Sequence, residues 1–358
     1  MIITLFRIED WFMLRKLTGI LVVLSGLLSG THLSAQDVQY SQFYAAPLYL
    51  NPALTGASEL TRVGVNYRNQ WPGLDHSFNS YSAYIDHYIF DYNSGIGLIF
   101  NGNQESMANL STNEIGLSYS YRLRLSEKFF FRVGGQVSYM QRDAFFSDLV
   151  FGSMIDIVNG SVGGITDELN GIPLDSRYSF MDYAVGGMFY NDKFWLGGSA
   201  HHLTEPNVSF VDDQTSVLPM KISLQGGYKI DLAPGRRDYF THNYQERSLA
   251  FAFNYKQQDP FSQLDVGAQL FLQPLVLGLW YRGLPMKNSL PNNEAFIALV
   301  GVALDTGLDI GYSYDVTTSK LGQKNSGGAH EISIRYTFLW GDPRSRNQRS
   351  RIIPCFRY

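Results

Sequence analysis

Glu114-Ile115-Gly116-Leu117-Ser118-Tyr119-Ser120-Tyr121-Arg122-Leu123-Arg124-Leu125 sorts two chemistries with a period of two. One set is Ile115, Leu117, Tyr119, Tyr121, Leu123 and Leu125; the other is Glu114, Gly116, Ser118, Ser120, Arg122 and Arg124. Successive side chains of a strand point to opposite faces, so this pattern predicts a strand with one greasy and one polar face. The same split recurs where Leu308, Ile310, Tyr312 and Tyr314 oppose Asp309, Gly311, Ser313 and Asp315. It recurs again where Ile332, Ile334, Tyr336 and Phe338 oppose Glu331, Ser333, Arg335 and Thr337, and where Val63, Val65, Tyr67 and Trp71 oppose Arg62, Asn66, Arg68 and Gln70.

A soluble sandwich with one wet face also alternates, so the connections have to decide. From Leu60 onward about fourteen such segments follow one another, an even number within the range of bacterial barrels. Short connections with turn chemistry are Asp91-Tyr92-Asn93, Ser126-Glu127-Lys128, Asn191-Asp192-Lys193, Gln273-Pro274 and Asp305-Thr306-Gly307. Long ones run over 143–177, 205–217, 284–293 and 318–328. Tight turns on one side and long loops on the other are the signature of a barrel threaded from the periplasm. Residues 232–246 are the exception, long where the count asks for a tight turn. The expected fold is therefore all-β: a transmembrane outer-membrane β-barrel of about fourteen antiparallel strands, with short periplasmic turns and longer extracellular loops.

Composition agrees. The 358 residues include 23 Tyr, 24 Phe, 5 Trp and 34 Gly with only 17% charged residues, a mix suited to strands. A formal net charge of −4 without a basic domain gives no reason to expect nucleic acid. Trp71, Tyr88, Phe90, Phe129, Trp195, Trp280 and Trp340 are expected in interfacial girdles, with aromatic core positions as the competing reading. Inward faces are expected to carry Arg62, Arg68, Glu114, Arg122, Arg124, Arg132, Lys221, Lys229, Asp309, Asp315, Glu331 and Arg335. Both signs are present, which favours a filled or narrow lumen laced with ion pairs over a one-sign channel. The glycine pairs 134–135, 186–187, 197–198 and 226–227 mark bends or crowded lumen positions.

The first 35 residues read as a signal peptide: Arg15-Lys16, an apolar run from Leu17 to Leu28, and Leu33-Ser34-Ala35 before the cleavage point. Met13, close before the charged pair, is the better initiator, which leaves residues 1–12 as an extension. A membrane anchor is disfavoured because the apolar run falls short of the ~20 residues needed to span a bilayer. The domain plan is thus a signal peptide at 1–35, a periplasmic or lumenal segment at 36–59, the barrel at 60–340 and a basic periplasmic tail at 341–358. The lone Cys355 excludes an intrachain disulfide framework.

No catalytic or metal-binding constellation emerges, and no cofactor is expected. His201-His202 with Glu205 suggests a metal site at first sight, yet neighbouring strand residues point to opposite faces. The same alternation separates Asp86 from His87, and no nucleophile-elbow serine accompanies them. Gly163-Gly164 lacks the lysine and hydroxyl residue of a phosphate loop. The expectation is a protein that is not an enzyme.

The stretch from Gln36 to Tyr44, Gln-Asp-Val-Gln-Tyr-Ser-Gln-Phe-Tyr, runs on through Pro47-Leu48-Tyr49-Leu50-Asn51-Pro52-Ala53-Leu54-Thr55-Gly56. It resembles the opening of the PorP/SprF family. Tyr67-Arg68-Asn69-Gln70-Trp71-Pro72, His202-Leu203-Thr204-Glu205-Pro206-Asn207, Gly311-Tyr312-Ser313-Tyr314-Asp315 and Gly327-Gly328-Ala329-His330-Glu331-Ile332 carry the likeness along the mature chain. Pro354-Cys355-Phe356 resembles the family's Cys-Pro-Arg-Phe ending with its order altered.

The resemblance implies an outer-membrane barrel of the Bacteroidota type IX secretion system. Its implied partners are outer-membrane lipid, a secreted client with a type IX C-terminal secretion domain, and periplasmic components of the system. The client is expected to be a protein such as an adhesin, secreted or attached at the surface, with a link to gliding motility in some members. A porin or transporter for small solutes is the alternative. Tyr49, Asn51, Pro52 and Gly56 in the opening segment are candidate partner contacts, as are Arg344, Arg346, Arg349 and Arg351 in the tail. Arg68, Arg122, Asp315, Glu331 and Arg335 are the lumen-facing candidates, and Phe145 to Tyr178 is the expected external contact loop.

Overall fold

Fourteen antiparallel strands close on themselves in the computed structural model. It describes residues 37–340 except 75–76, 107–108, 146–149, 151, 157–158, 160, 163–174, 210–215, 233–246 and 284–292. In chain order the strands are β1 (Thr61–Gln70), β2 (Phe78–Ile89), β3 (Ser94–Glu105), β4 (Leu110–Arg124), β5 (Phe130–Phe145), β6 (Asp175–Tyr190) and β7 (Phe194–His201). They continue as β8 (Lys221–Asp231), β9 (Arg247–Gln258), β10 (Phe261–Leu272), β11 (Leu275–Gly283), β12 (Asn293–Ala303), β13 (Leu308–Thr317) and β14 (Ala329–Phe338). Each pairs with its neighbours in sequence, and β1 pairs with β14 from Thr61 opposite Phe338 to Gln70 opposite Ala329. Closure leaves no open sheet edge in the ring, as a lipid environment demands of a backbone that has no water to bond.

Alternation drives the assignment of faces. In β4, Leu117 is 68% exposed, with Ile115, Tyr119 and Tyr121 exposed beside it, while Ser118, Ser120 and Arg122 are buried. The outward set along β1, β4, β13 and β14 is the apolar one of the sequence patterns, so the greasy face meets lipid and the polar face meets the lumen. No helix among the described residues is long and apolar enough to cross a membrane. The crossing is by strands.

Connections on the side where β1 begins are tight: a 3-10 turn at Phe90–Tyr92, Asn191 to Lys193, Gln273-Pro274 and Leu304 to Gly307. Those on the other side are mostly longer, and they include a two-residue antiparallel ribbon, Ile155–Asp156 against Ser161–Val162. Two outer connections are short, 106–109 and Asp259-Pro260. The long connection on the tight side, between β8 and β9, has residues 233–246 outside the described residues, although Leu232 and Arg247 still pair across its base. The expected outer loop between β5 and β6 is shorter than the 143–177 or 145–178 read from sequence, because the strands extend to Phe145 and from Asp175.

Three of the expected girdle residues are corrected. Tyr88, Trp195 and Trp280 are buried on the inner face, in the same alternation phase as Tyr84 and Asp86 in the case of Tyr88. Trp71, Phe90, Phe129 and Trp340 stay at strand ends or beyond them and are partly or fully exposed. Arg124 shares the inner phase of its strand but is exposed at the turn end, where it donates to the Ser126 carbonyl.

A barrel of about eight strands fills its interior with its own side chains, whereas sixteen or more leave an aqueous channel. Fourteen strands therefore enclose space that something else must fill. Here the chain before β1 fills it.

Candidate functional site

Residues from Tyr40 to Glu59 lie inside the barrel, nearly all of them buried. Pro47 and Pro52 hold the segment to single turns, with 3-10 geometry at Phe43–Ala45 and Pro52–Leu54 and one α-turn at Pro47–Leu50. A compact, kinked strip results, one that contacts walls on several sides at once.

At its first described residue, Asp37 accepts from Lys221 Nζ at 2.5 Å, His202 Nε2 at 2.8 Å and Gln258 Nε2 at 3.3 Å. Its own N–H donates to Gln258 Oε1 at 3.0 Å. The opposite ring nitrogen of His202 meets Asp182 at 3.0 Å. Burial alone would disfavour the imidazolium, but the Asp37 and Asp182 carboxylates raise its pKa to about 9. Tyr49 closes the corner: its hydroxyl donates to the Val38 carbonyl at 2.7 Å and its ring takes the Lys221 ammonium at 4.5 Å.

Next, Ser41 and Gln42 enter a buried ion network. The Glu331 carboxylate accepts both of their backbone N–H groups, at 2.6 Å and 3.0 Å. Ser41 Oγ donates to Asp315 at 2.6 Å and accepts from Arg282 at 3.0 Å and from Arg68. Arg68 also pairs with Asp315 at 2.8 Å and Glu331 at 3.3 Å, and Arg282 with Asp265 and Asp315 at 3.1 Å each. Buried charges are tolerated when each is paired and hydrogen-bonded, and the plug's hydroxyl and amides complete that pairing.

Lower down, Phe43 meets Trp280 edge to face at 5.2 Å, and Phe43, Tyr44, Leu50, Ala53 and Leu54 share an apolar cluster with Phe130, Met188, Tyr190 and Trp195. Asn51, fully buried, donates to the carbonyls of Gly187 and Gly198 at 3.2 and 3.0 Å and accepts from Ala53 N–H at 2.9 Å. A methyl group on Gly134 would sit 2.5 Å from the backbone of Pro52 and Ala53, so that wall position has room for hydrogen alone. Arg132 donates to the carbonyls of Thr55 and Gly56 at 2.8 and 3.2 Å.

At the turn end, Gly56 N–H donates to Asp86 at 2.7 Å, and Asp86 is held in turn by Arg62 at 2.7 Å. Gly56 has φ +66°, a left-handed turn that glycine takes without strain. Glu59 pairs with Arg122, whose guanidinium lies 5.0 Å from the Tyr88 ring centre. Two spaces beside the segment measure about 40 and 20 Å³, room for water and not for a solute.

Arg68, Arg122, Asp315, Glu331 and Arg335 all lie on the inner face, Arg335 paired with Asp309 at 2.6 Å. Tyr49, Asn51, Pro52 and Gly56 are packed into the lumen together. Arg344, Arg346, Arg349 and Arg351 lie outside the described residues. Sequence reading missed Asp37, Ser41, Gln42, Glu59, Asp182 and Arg282. The signal that finds some of them is a count: the expected inward set carries more arginine and lysine than carboxylate, and Asp37 and Glu59 bring two of the missing negative charges.

One argument from alternation needs correcting. His201 and His202 do not point to opposite faces; both rings are buried, with centres 6.5 Å apart, because His202 adopts φ +58° just after the strand ends. Glu205 accepts instead from the Met220 N–H at 3.2 Å. Asp86 and His87 do separate, Asp86 to Arg62 inside and His87 to the Thr61 hydroxyl at 2.8 Å.

Fold and site together define an outer-membrane β-barrel whose lumen is occupied by its own N-terminal segment. A profile of the family described as "Type IX secretion system membrane protein PorP/SprF" matches residues 32–336. The chain belongs to that family of secretion-system membrane components, which is not a family of enzymes, and it resides in the outer membrane. A search of curated proteins found no match. Among solved structures, a Pseudomonas aeruginosa FadL homologue is 14% identical over 80% of this chain and 93% of its own, with a TM-score of 0.42. The TodX deltaS2S3 mutant monoaromatic hydrocarbon channel gives 12%, 82%, 94% and 0.44, and KdgM porin 8%, 77%, 99% and 0.34. At these scores they are likenesses only.

Proposed function

We propose that this barrel supports the secretion or surface attachment of a client protein, such as an adhesin carrying a type IX C-terminal secretion domain, together with periplasmic components of the system. The family match over 32–336 is the observation that carries the reading. The lumen occupied by residues 40–59, nearly all buried, favours it over a diffusion porin or small-solute transporter. A link to gliding motility belongs to the same reading.

Asn51, Pro52 and Gly56 are buried against the wall, so contact between them and a partner requires the segment to leave the lumen, whereas Tyr49 is half-buried near the outer end. The basic tail with Arg344, Arg346, Arg349 and Arg351 suits an acidic periplasmic partner. The region between β5 and β6 suits an external contact. The test is a mild-detergent pull-down from outer membranes followed by mass spectrometry. Co-purified secretion-motor components or a surface protein with the C-terminal domain support the reading; a barrel that purifies alone, with steady solute conductance, overturns it.

A further inference from the structure

We infer that the amino end of the processed chain is displayed at the cell surface, at the outer mouth of the lumen, with Asp37 as its fastening. The direction of the strands sets this. Asp37 is held by His202, just past the outer end of β7, by Lys221, the first residue of β8 at its outer end, and by Gln258, the last of β9 at its outer end. The segment then descends in order. Ser41 meets Asp315 and Glu331, still near the outer ends of β13 and β14; Asn51 meets Gly187 and Gly198 nearer the turn side; Glu59 meets Arg122 two residues before the turn end of β4.

The sequence-based plan put this segment at the periplasmic mouth or in the lumen. A chain delivered from the periplasm would most simply leave its amino end behind there. Here the barrel is closed around a strip threaded from outside to inside, and Glu331 of the closing strand holds the strip's Ser41 and Gln42. Removal of the leader before the strip is seated follows from this path, because the apolar run of Leu17 to Leu28 would otherwise have to pass the lumen; the inference therefore rests on cleavage after Ala35. Beside Asp37, Val38 and Gln39 the rim leaves a space of about 40 Å³, enough for water, so an outside partner touches these residues from above. If the secretion reading holds, a client reaching the surface meets the strip at this end first.

The test uses the full-length protein in its own outer membrane, with Cys355→Ser removing the natural thiol. Val38→Cys, or Gln39→Cys as a second variant, is treated with a membrane-impermeant maleimide on intact cells, and Lys128→Cys in a short turn serves as the inner control. The expected result is labelling at position 38 or 39 in intact cells and at 128 only after the outer membrane is permeabilised. Labelling at 38 and 39 only after permeabilisation, or none in intact cells from a heat-modifiable, correctly folded barrel, overturns the inference. N-terminal sequencing of the same sample identifies a retained leader separately. No client enters the readout, so this failure is distinguishable from failure of the secretion reading.

Discussion

Glu331 accepts the backbone N–H of Ser41 at 2.6 Å, a contact between residues 290 positions apart. Glu331 sits on β14, and its neighbour across the closing seam is Arg68 of β1, which shares the same carboxylate at 3.3 Å. The bond that closes the ring and the bond that holds the plug therefore meet at one side chain. Closing strand and plug thus share one carboxylate at this point.

Replacing that carboxylate should cost stability and loosen the plug together. Glu331→Ala leaves Arg68 short of one counter-charge and two plug amides without acceptors, an expected loss of about 3–5 kcal/mol, as for other broken buried ion pairs. The check is the urea midpoint of the folded, heat-modifiable band. An unchanged midpoint contradicts the network's role.

Gly134 offers a test confined to packing. Gly134→Val places bulk where Pro52 and Ala53 lie 2.5 Å from the first added atom, and overpacking of this kind costs about 1–3 kcal/mol. Valine suits a strand, so the same substitution in a barrel lacking residues 36–59 should cost little. The double-mutant comparison isolates the contact.

The outer fastening should depend on pH. Because the His202 pKa is raised from 6.5 to about 9 between Asp37 and Asp182, its contribution is complete below about 6.5 and is lost as pH rises through 9. Lys221 also faces Asp37, at 2.5 Å. Maleimide reactivity at Val38→Cys, taken relative to the ordinary rise of thiolate with pH measured at Lys128→Cys after permeabilisation, should rise across that window, and His202→Gln should remove the excess.

The lipid face gives an independent check on orientation. Leu117 is 68% exposed midway along β4, where an arginine at the bilayer midplane costs about 2–4 kcal/mol. Leu117→Arg should lower folding stability in lipid vesicles by that amount, while equal stability would place this face away from hydrocarbon.

Period-two patterns made the strands, their number and their lipid faces legible, because alternation is a local property that survives in any window of β4, β13 or β14. The short turns were legible through Asn, Asp and Gly chemistry. The plug's course was not, since Asp37 with Lys221 or Ser41 with Glu331 are pairings between distant segments that no local window contains. Tyr88, Trp195 and Trp280 were misplaced because aromatic content suggests girdles, whereas here these rings line the inner wall, Trp195 and Trp280 in the plug's apolar cluster. His202 escaped because one left-handed residue resets the alternation. The glycines were readable as crowded positions, though not what crowds them.

Single-channel recording in planar bilayers tests most directly whether the N-terminal segment seals the barrel. The intact protein should stay closed to ions and small solutes, and deletion of Gln36 to Glu59 should produce a large, steady conductance in a barrel that still runs as a folded, heat-modifiable species. Steady conductance by the intact protein, or a folded deletion variant that stays closed, would contradict the account.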